Sequence, residues 1–226
     1  MSLKYLLVIL FFPSMIFAQT LDSYQRKEFV LNGDTLKYRI HFPENYDAKK
    51  KYPVITYLHG SGERGSDNET PITIGGQFFI SKPNNAYDYI TIFPQCPANQ
   101  SWRHLVENPD STKHAEFDIS FTKQAERPSV LVKSLLDQLQ KDKVADPSQM
   151  YIGGSSMGGF GTFDMVERYP NYFAAAFPIC GGGDVAKAGE FANKVSVWIF
   201  HGAEDNVVYP ERSRVYYKKL KELGAD

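Results

Sequence analysis

Charge of one sign is the first thing this sequence has little of. Its 226 residues carry 25 Lys plus Arg against 26 Asp plus Glu, a formal net charge of -1. Without a basic excess there is no electrostatic footprint for nucleic acid, so no nucleic-acid partner is expected. Cysteine is also scarce, with only Cys96 and Cys180. Long hydrophobic runs are missing as well. The longest, Leu6 to Phe17, falls short of the roughly 20 apolar residues that span a bilayer, and Pro13 interrupts it. With Lys4 ahead of the run and Ala18 at its end before Gln19, the pattern reads as a signal peptide over 1–18 and not as a membrane anchor. No cysteine follows Ala18 directly, which argues against a lipoprotein. The expected location is therefore secreted or periplasmic. Repeats, heptads and low-complexity segments are absent too, and a hydrophobic share of 42% places the chain among globular proteins. The length suits one α/β domain, 19–226.

What is present begins with a hairpin signal. Asn32-Gly33 separates two runs, and the second alternates Leu36, Tyr38, Ile40 and Phe42. Beyond it come short apolar runs at 54–60, 89–96, 150–156, 174–182 and 195–202, separated by helical stretches. Buried strands with helices between them imply a mostly parallel sheet covered by helices. Helices are expected over Ser129 to Lys141, from Met157 to before Pro170, and from after Pro210 to a C-cap at Gly224. Residues 98–127 fit no element and read as an insertion over the sheet edge.

The chemistry lies in "GGSSMGG". Gly154-Ser155-Ser156-Met157-Gly158 matches G-x-S-x-G between an apolar strand and a helix, the context of a nucleophile elbow. Glycines two places either side of Ser156 permit a sharp turn that raises the hydroxyl above the sheet. A Walker loop would need a Lys-Ser/Thr pair that is absent, and the Rossmann glycine spacing does not fit. "LHGSGERGSDNE" follows the strand from Val54, where this kind of site builds half of an oxyanion hole. Ser61, or alternatively Gly62, would supply one N–H donor and Met157 the other. His59 is expected to be a packed strand-end residue. In "FHGAEDNVV", Asp205 follows a strand and a short turn, correctly placed to be the acid that orients a histidine; Glu204 and Asp184 are the neighbouring candidates.

The segments "YLHGSGERGSDNE", "FPQCPANQSW", "GGSSMGGFGTFDMVERYPNYFAAAFPICGGGD" and "FHGAEDNVV" resemble secreted bacterial esterases grouped with the dienelactone-hydrolase and prolyl-oligopeptidase-like α/β-hydrolases. The resemblance covers most of residues 50–210. It implies an α/β-hydrolase fold, Ser156 as nucleophile, Asp205 as acid, Ser61 with Met157 at the oxyanion hole, and Gln95 and Trp102 near an acyl or sugar pocket. Trp102 can equally be a packing residue of the insertion. The implied substrate is a small-molecule or polysaccharide-linked ester, cleaved through an acyl-enzyme on Ser156. A prolyl-oligopeptidase-like peptidase and a non-catalytic carbohydrate-binding relative are the alternatives. No metal or organic cofactor is expected, since no His/Cys/Asp cluster has ligand spacing.

No base is obvious. All five histidines, His41, His59, His104, His114 and His201, precede Asp205, whereas the order in this fold places the histidine after the acid. In the resembling family a further strand follows the helix that ends near Gly224, and the loop beyond it carries the base. The expectation is thus an incomplete domain lacking the last strand and the histidine loop, and a very poor esterase as it stands. A substitute base would have to come from His104 or His114 in the insertion. Cys96 and Cys180 are expected as free thiols. The strands from Val54 and Met150 should lie between theirs, and three steps of about 4.8 Å give roughly 14 Å, against about 7 Å for the Cα atoms of a disulfide.

Overall fold

The computed structural model describes residues 20–81, 87–107 and 117–225. Residues 1–18, on which the signal-peptide expectation falls, and His114 lie outside the described residues. Strands β1 (Gln25–Leu31) and β2 (Asp34–His41) form the antiparallel hairpin. Its turn sets Asn32 at φ 53° and Gly33 at φ 86°, the left-handed pair that an Asn-Gly turn supplies. Then follow β3 (Tyr52–Leu58), a short helix α1 (Gly76–Ile80) and β4 (Ile90–Pro94), of which every residue is buried.

Two two-residue strands, β5 (Val106–Glu107) and β6 (Phe117–Asp118), pair antiparallel within the segment that the sequence left unassigned. Helix α2 (Arg127–Lys141) starts with Pro128 in its first turn and buries Leu131, Val132, Leu135 and Leu136. Strand β7 (Ala145–Ser155) runs straight into helix α3 (Met157–Arg168). The chain continues through β8 (Ala175–Ile179), α4 (Ala188–Phe191), β9 (Ser196–Val197) and α5 (Glu211–Glu222). After α5, Gly224 takes φ 78° as the helix stop.

Seven strands form one sheet in the order β1-β2-β4-β3-β7-β8-β9, parallel from β4 to β9. β3 and β7 thus separate β4 from β8, the order on which the free-thiol expectation rested, and both cysteines are free. Helix α3 packs on β3, β7 and β8, and α2 on β1, β2 and β7. The apolar run at 195–202 is less of a strand than its composition suggests. Only Ser196 and Val197 form a ladder, followed by a single bridge from Phe200 to Ile179. It lies at the sheet edge, where the side chains of Trp198 and Phe200 stay largely exposed, so half-burial does not impose strand geometry along the whole run.

Candidate active site

The parallel strands β3, β7, β8 and β9 all end on one edge of the sheet, and every expected site residue in the described chain except Gln95 and Trp102 follows one of those ends. Ser156 stands between β7 and α3 at φ 54°, ψ -117°. A non-glycine residue with positive φ is held there by its surroundings, at a cost of about 1–3 kcal/mol. Its N–H donates to the Ile179 carbonyl (2.9 Å), and its own carbonyl accepts from the Phe160 N–H (3.0 Å), so neighbouring strand and following helix both fix the turn. Gly158 lets the helix lie directly on the end of β3. A Cβ there would collide with the backbone of Leu58.

Gly60, the residue before the 3-10 turn Ser61–Glu63, passes close to the nucleophile. A Cβ on Gly60 would lie 3.7 Å from the Cβ of Ser156 and 3.6 Å from the Ser155 carbonyl oxygen. The two segments expected to supply oxyanion donors, those of Ser61 and Met157, are therefore neighbours. Met157 is buried as the first residue of α3, and Ser61 is exposed.

Three buried side chains secure that loop from beneath. His59 accepts the Cys96 N–H on Nε2 (3.0 Å), which leaves Nδ1 as the donor to the Gly60 carbonyl (2.6 Å). Burial lowers its pKa to about 4, so the ring is neutral and structural, as the sequence suggested. Trp102 is fully buried; its Nε1–H donates to the His59 carbonyl (3.0 Å) and its ring meets the imidazole edge-on. Gln95 donates to Asp67 (2.9 Å) and Thr70 (3.0 Å) and accepts the Asn68 N–H (2.7 Å). Both residues that the resemblance set near a substrate pocket thus direct their polar atoms to the 59–70 loop.

Asp205 follows β9. Its Oδ1 accepts the N–H groups of Val207 (2.9 Å) and Val208 (3.0 Å), and its Oδ2 lies 3.6 Å from His201 Nε2. Burial pushes the carboxyl up, but the two N–H donors, the Cys180 thiol and His201 together hold it below the ordinary carboxylate value. Of the other candidates, Asp184 is spent on the N–H groups of Phe121 and Ala186, and Glu204 is exposed. His104 is an exposed partner of Glu126 (3.0 Å). Among the described residues no histidine is hydrogen-bonded to Ser156.

Sequence reading missed two features. Arg103, from the start of the insertion, is buried against Glu167 (2.7 Å) and Asp164 (3.4 Å) of α3, so the insertion is anchored to the helix behind the nucleophile. The second is the company that His201 and Cys180 keep with Asp205. The Arg103 anchor carries no local signal, and while His201 and Asp205 stand four residues apart in one segment, only the fold brings Cys180 to them.

A parallel sheet with a strained serine at a strand-to-helix turn and an acid after a later strand defines an α/β-hydrolase. The chain matches the Esterase family over residues 31–182, well over half its length, and belongs to that family. Among curated proteins it is 24% identical over 217 residues to poly(3-hydroxyalkanoate) depolymerase C of Paucimonas lemoignei, a match covering 82% of this chain and 48% of that protein. It is 28% identical over 133 residues to a bifunctional acetylxylan esterase/xylanase of Neocallimastix patriciarum, covering 55% of this chain and 19% of that protein. The chain thus spans about half or less of the length of these relatives. Among solved structures, a thermostable esterase superposes with TM-score 0.79 at 33% identity, over 91% of this chain and 53% of that one. A ferulic acid esterase shares the fold with TM-score 0.67 at 16% identity, over 90% of this chain and 86% of that one.

Proposed function

We propose that this chain carries the nucleophile, the oxyanion donors and the acid of a secreted serine esterase that hydrolyses carboxylic esters by acyl transfer. The observation that carries the reading is the backbone of Ser156, forced to φ 54° at the apex of β7 and α3 with the Gly60–Ser61 segment alongside. Strain of this kind persists where it serves a site. Ser156 Oγ attacks the ester carbonyl, and the developing oxyanion is received by the N–H groups of Met157 and Ser61. Each such donor is worth about 100-fold to 1000-fold in turnover. Collapse of the tetrahedral intermediate expels the alcohol, and water then releases the acid from Ser156. Asp205, held ionised by its backbone donors, orients the base.

That base is a histidine beyond Asp205, as in the order typical of the fold, and no histidine of this sequence occupies such a position. Residues 19–226 alone are accordingly proposed to retain only roughly 1000-fold to 10,000-fold catalysis over water, from oxyanion hole and binding. Acetyl and feruloyl esters of plant polysaccharide are the proposed substrates, supported by the acetylxylan esterase among the relatives. The test measures hydrolysis of nitrophenyl acetate and of feruloyl and acetyl sugar esters, with proline-linked peptide amides as controls. It uses residues 19–226 and a version extended through the natural downstream sequence, each with and without Ser156→Ala. Activity that depends on Ser156 is expected in the extended protein. Hydrolysis indifferent to Ser156 would sink the nucleophile assignment, and turnover by the short form that disappears with His104→Ala or His114→Ala would sink the proposed base.

A further inference from the structure

His201 and Asp205 stand four residues apart after β9, and the pairing of β8 with β9 brings the distant Cys180 to them. The Cys180 thiol sulfur, a ring nitrogen of His201 and a carboxylate oxygen of Asp205 all lie within 4.8 Å of one another, and all three residues are half-buried. Cys180 is held at φ 49°, with its N–H on the Phe200 carbonyl (2.9 Å), so its backbone is fixed by the sheet and not by a free loop. His201 Nε2 and Asp205 Oδ2 stand 3.6 Å apart, too far for a good hydrogen bond. Two ligands on one tetrahedral zinc ion are separated by about 3.3 to 3.8 Å, given metal-ligand bonds of about 2.0 to 2.3 Å.

The rest of the imidazole is arranged to match. Nδ1 lies 2.6 Å from Ser213 Oγ, and that hydroxyl reaches the Gly181 carbonyl (3.2 Å). A tautomer with Nδ1–H donating to Ser213 and Ser213 donating to Gly181 would free the Nε2 lone pair for a metal, whereas without metal Nε2–H donates to the Val208 carbonyl. Such an outer hydrogen bond is what fixes the tautomer of metal-binding histidines. Nε2 faces the Val208 carbonyl oxygen at 2.7 Å as well as Asp205. In the metal-free protein the ring proton on Nε2 faces the Val208 carbonyl and Asp205, and a divalent cation can take its place once that proton moves to Nδ1.

We propose that Cys180, His201 and Asp205 form a binding site for a divalent cation of the zinc class. One sulfur, one imidazole nitrogen and one carboxylate favour zinc or cobalt over magnesium or calcium, which take all-oxygen sites. On binding, the thiol proton passes to solvent, and the neutral His201 ring changes tautomer, losing its proton from Nε2 and taking one up on Nδ1, so that one proton is released in all. The site stands without the esterase reading. Given that reading, the cation occupies the carboxylate that orients the base and so inhibits hydrolysis.

Metal-free protein is titrated with Co²⁺ and then Zn²⁺, following near-ultraviolet thiolate-to-cobalt charge transfer and metal stoichiometry. The expected result is one equivalent of Co²⁺, a charge-transfer band, and loss of the band on adding Zn²⁺. Cys180→Ser keeps the size of the side chain and is expected to abolish the band. His201→Gln is expected to weaken cobalt binding by about 10-fold or more, and Cys96→Ala to change nothing. Circular dichroism shows that each variant is folded. A band that survives Cys180→Ser, one that disappears with Cys96→Ala, or no binding at micromolar metal would overturn the site. Binding without inhibition of the extended enzyme would support the site and count against Asp205 as the triad acid.

Discussion

The α-carbon of Gly158 lies so close to the carbonyl of Leu58 that no side chain fits between helix α3 and the end of β3. The obstacles, the Leu58 carbonyl and the His59 carbonyl oxygen, are backbone, which a rotamer change cannot relieve. Gly158→Ala is therefore expected to destabilise the domain by about 3 kcal/mol or more. Gly62, with nothing within 4 Å of its Cβ position, serves as the control, and Gly62→Ala is expected to stay within about 0.5 kcal/mol. Urea denaturation of both variants measures the difference. Equal midpoints would show that α3 can shift away from β3.

Ser156 stores strain that its replacements should reveal. At φ 54°, ψ -117° an alanine is as strained as a serine, whereas glycine is not. Ser156→Gly is expected to be more stable than Ser156→Ala by about 1–3 kcal/mol, although both lack the nucleophile. Thermal unfolding of the pair decides it. Equal stability would mean that the turn relaxes in solution.

The two thiols should behave differently in the folded protein. Burial leaves Cys96 fully inaccessible and pushes its thiol up to about 12, while Cys180 is only half-buried. A thiol reagent at neutral pH is expected to find Cys180 alone in the native protein and both cysteines after denaturation without reductant. No reactive thiol in the denatured protein would mean a disulfide, and with it a different strand order.

Glu167 makes stability depend on pH in an unusual direction. Its carboxyl accepts from Arg103 (2.7 Å), the Tyr216 hydroxyl (3.0 Å) and the Asp184 N–H (2.9 Å). Burial nevertheless raises it from 4.5 to about 7, against the pull of Arg103. The folded state therefore holds this proton more tightly than the unfolded chain. Its contribution is complete below the unfolded value of 4.5 and is lost as the pH rises through about 7. Melting temperatures across that window should fall more steeply for the native sequence than for Glu167→Gln. Parallel slopes would place the titration elsewhere.

Whatever depends on near neighbours could be read before the fold was known. The Asn32-Gly33 turn, the apolar runs that became β3, β4, β7 and β8, the stripe of Leu131, Leu135 and Leu136 on α2, and the glycines around Ser156 are all local patterns. Backbone sterics and side-chain period act over a few residues, so these patterns can be read without knowing the fold. The family's segments placed Ser61, Met157 and Asp205 at strand ends for the same reason. What each buried polar group meets is set by the folded arrangement of the strands. Gln95 clamps the 63–70 loop, Trp102 holds His59, Arg103 reaches back to Glu167, and Cys180 and His201 gather around Asp205. A polar group taken out of water must be satisfied by whichever partner the strand order brings to it. That order sets residues far apart in the chain about 4.8 Å from one another, and nothing in their own neighbourhoods announces it.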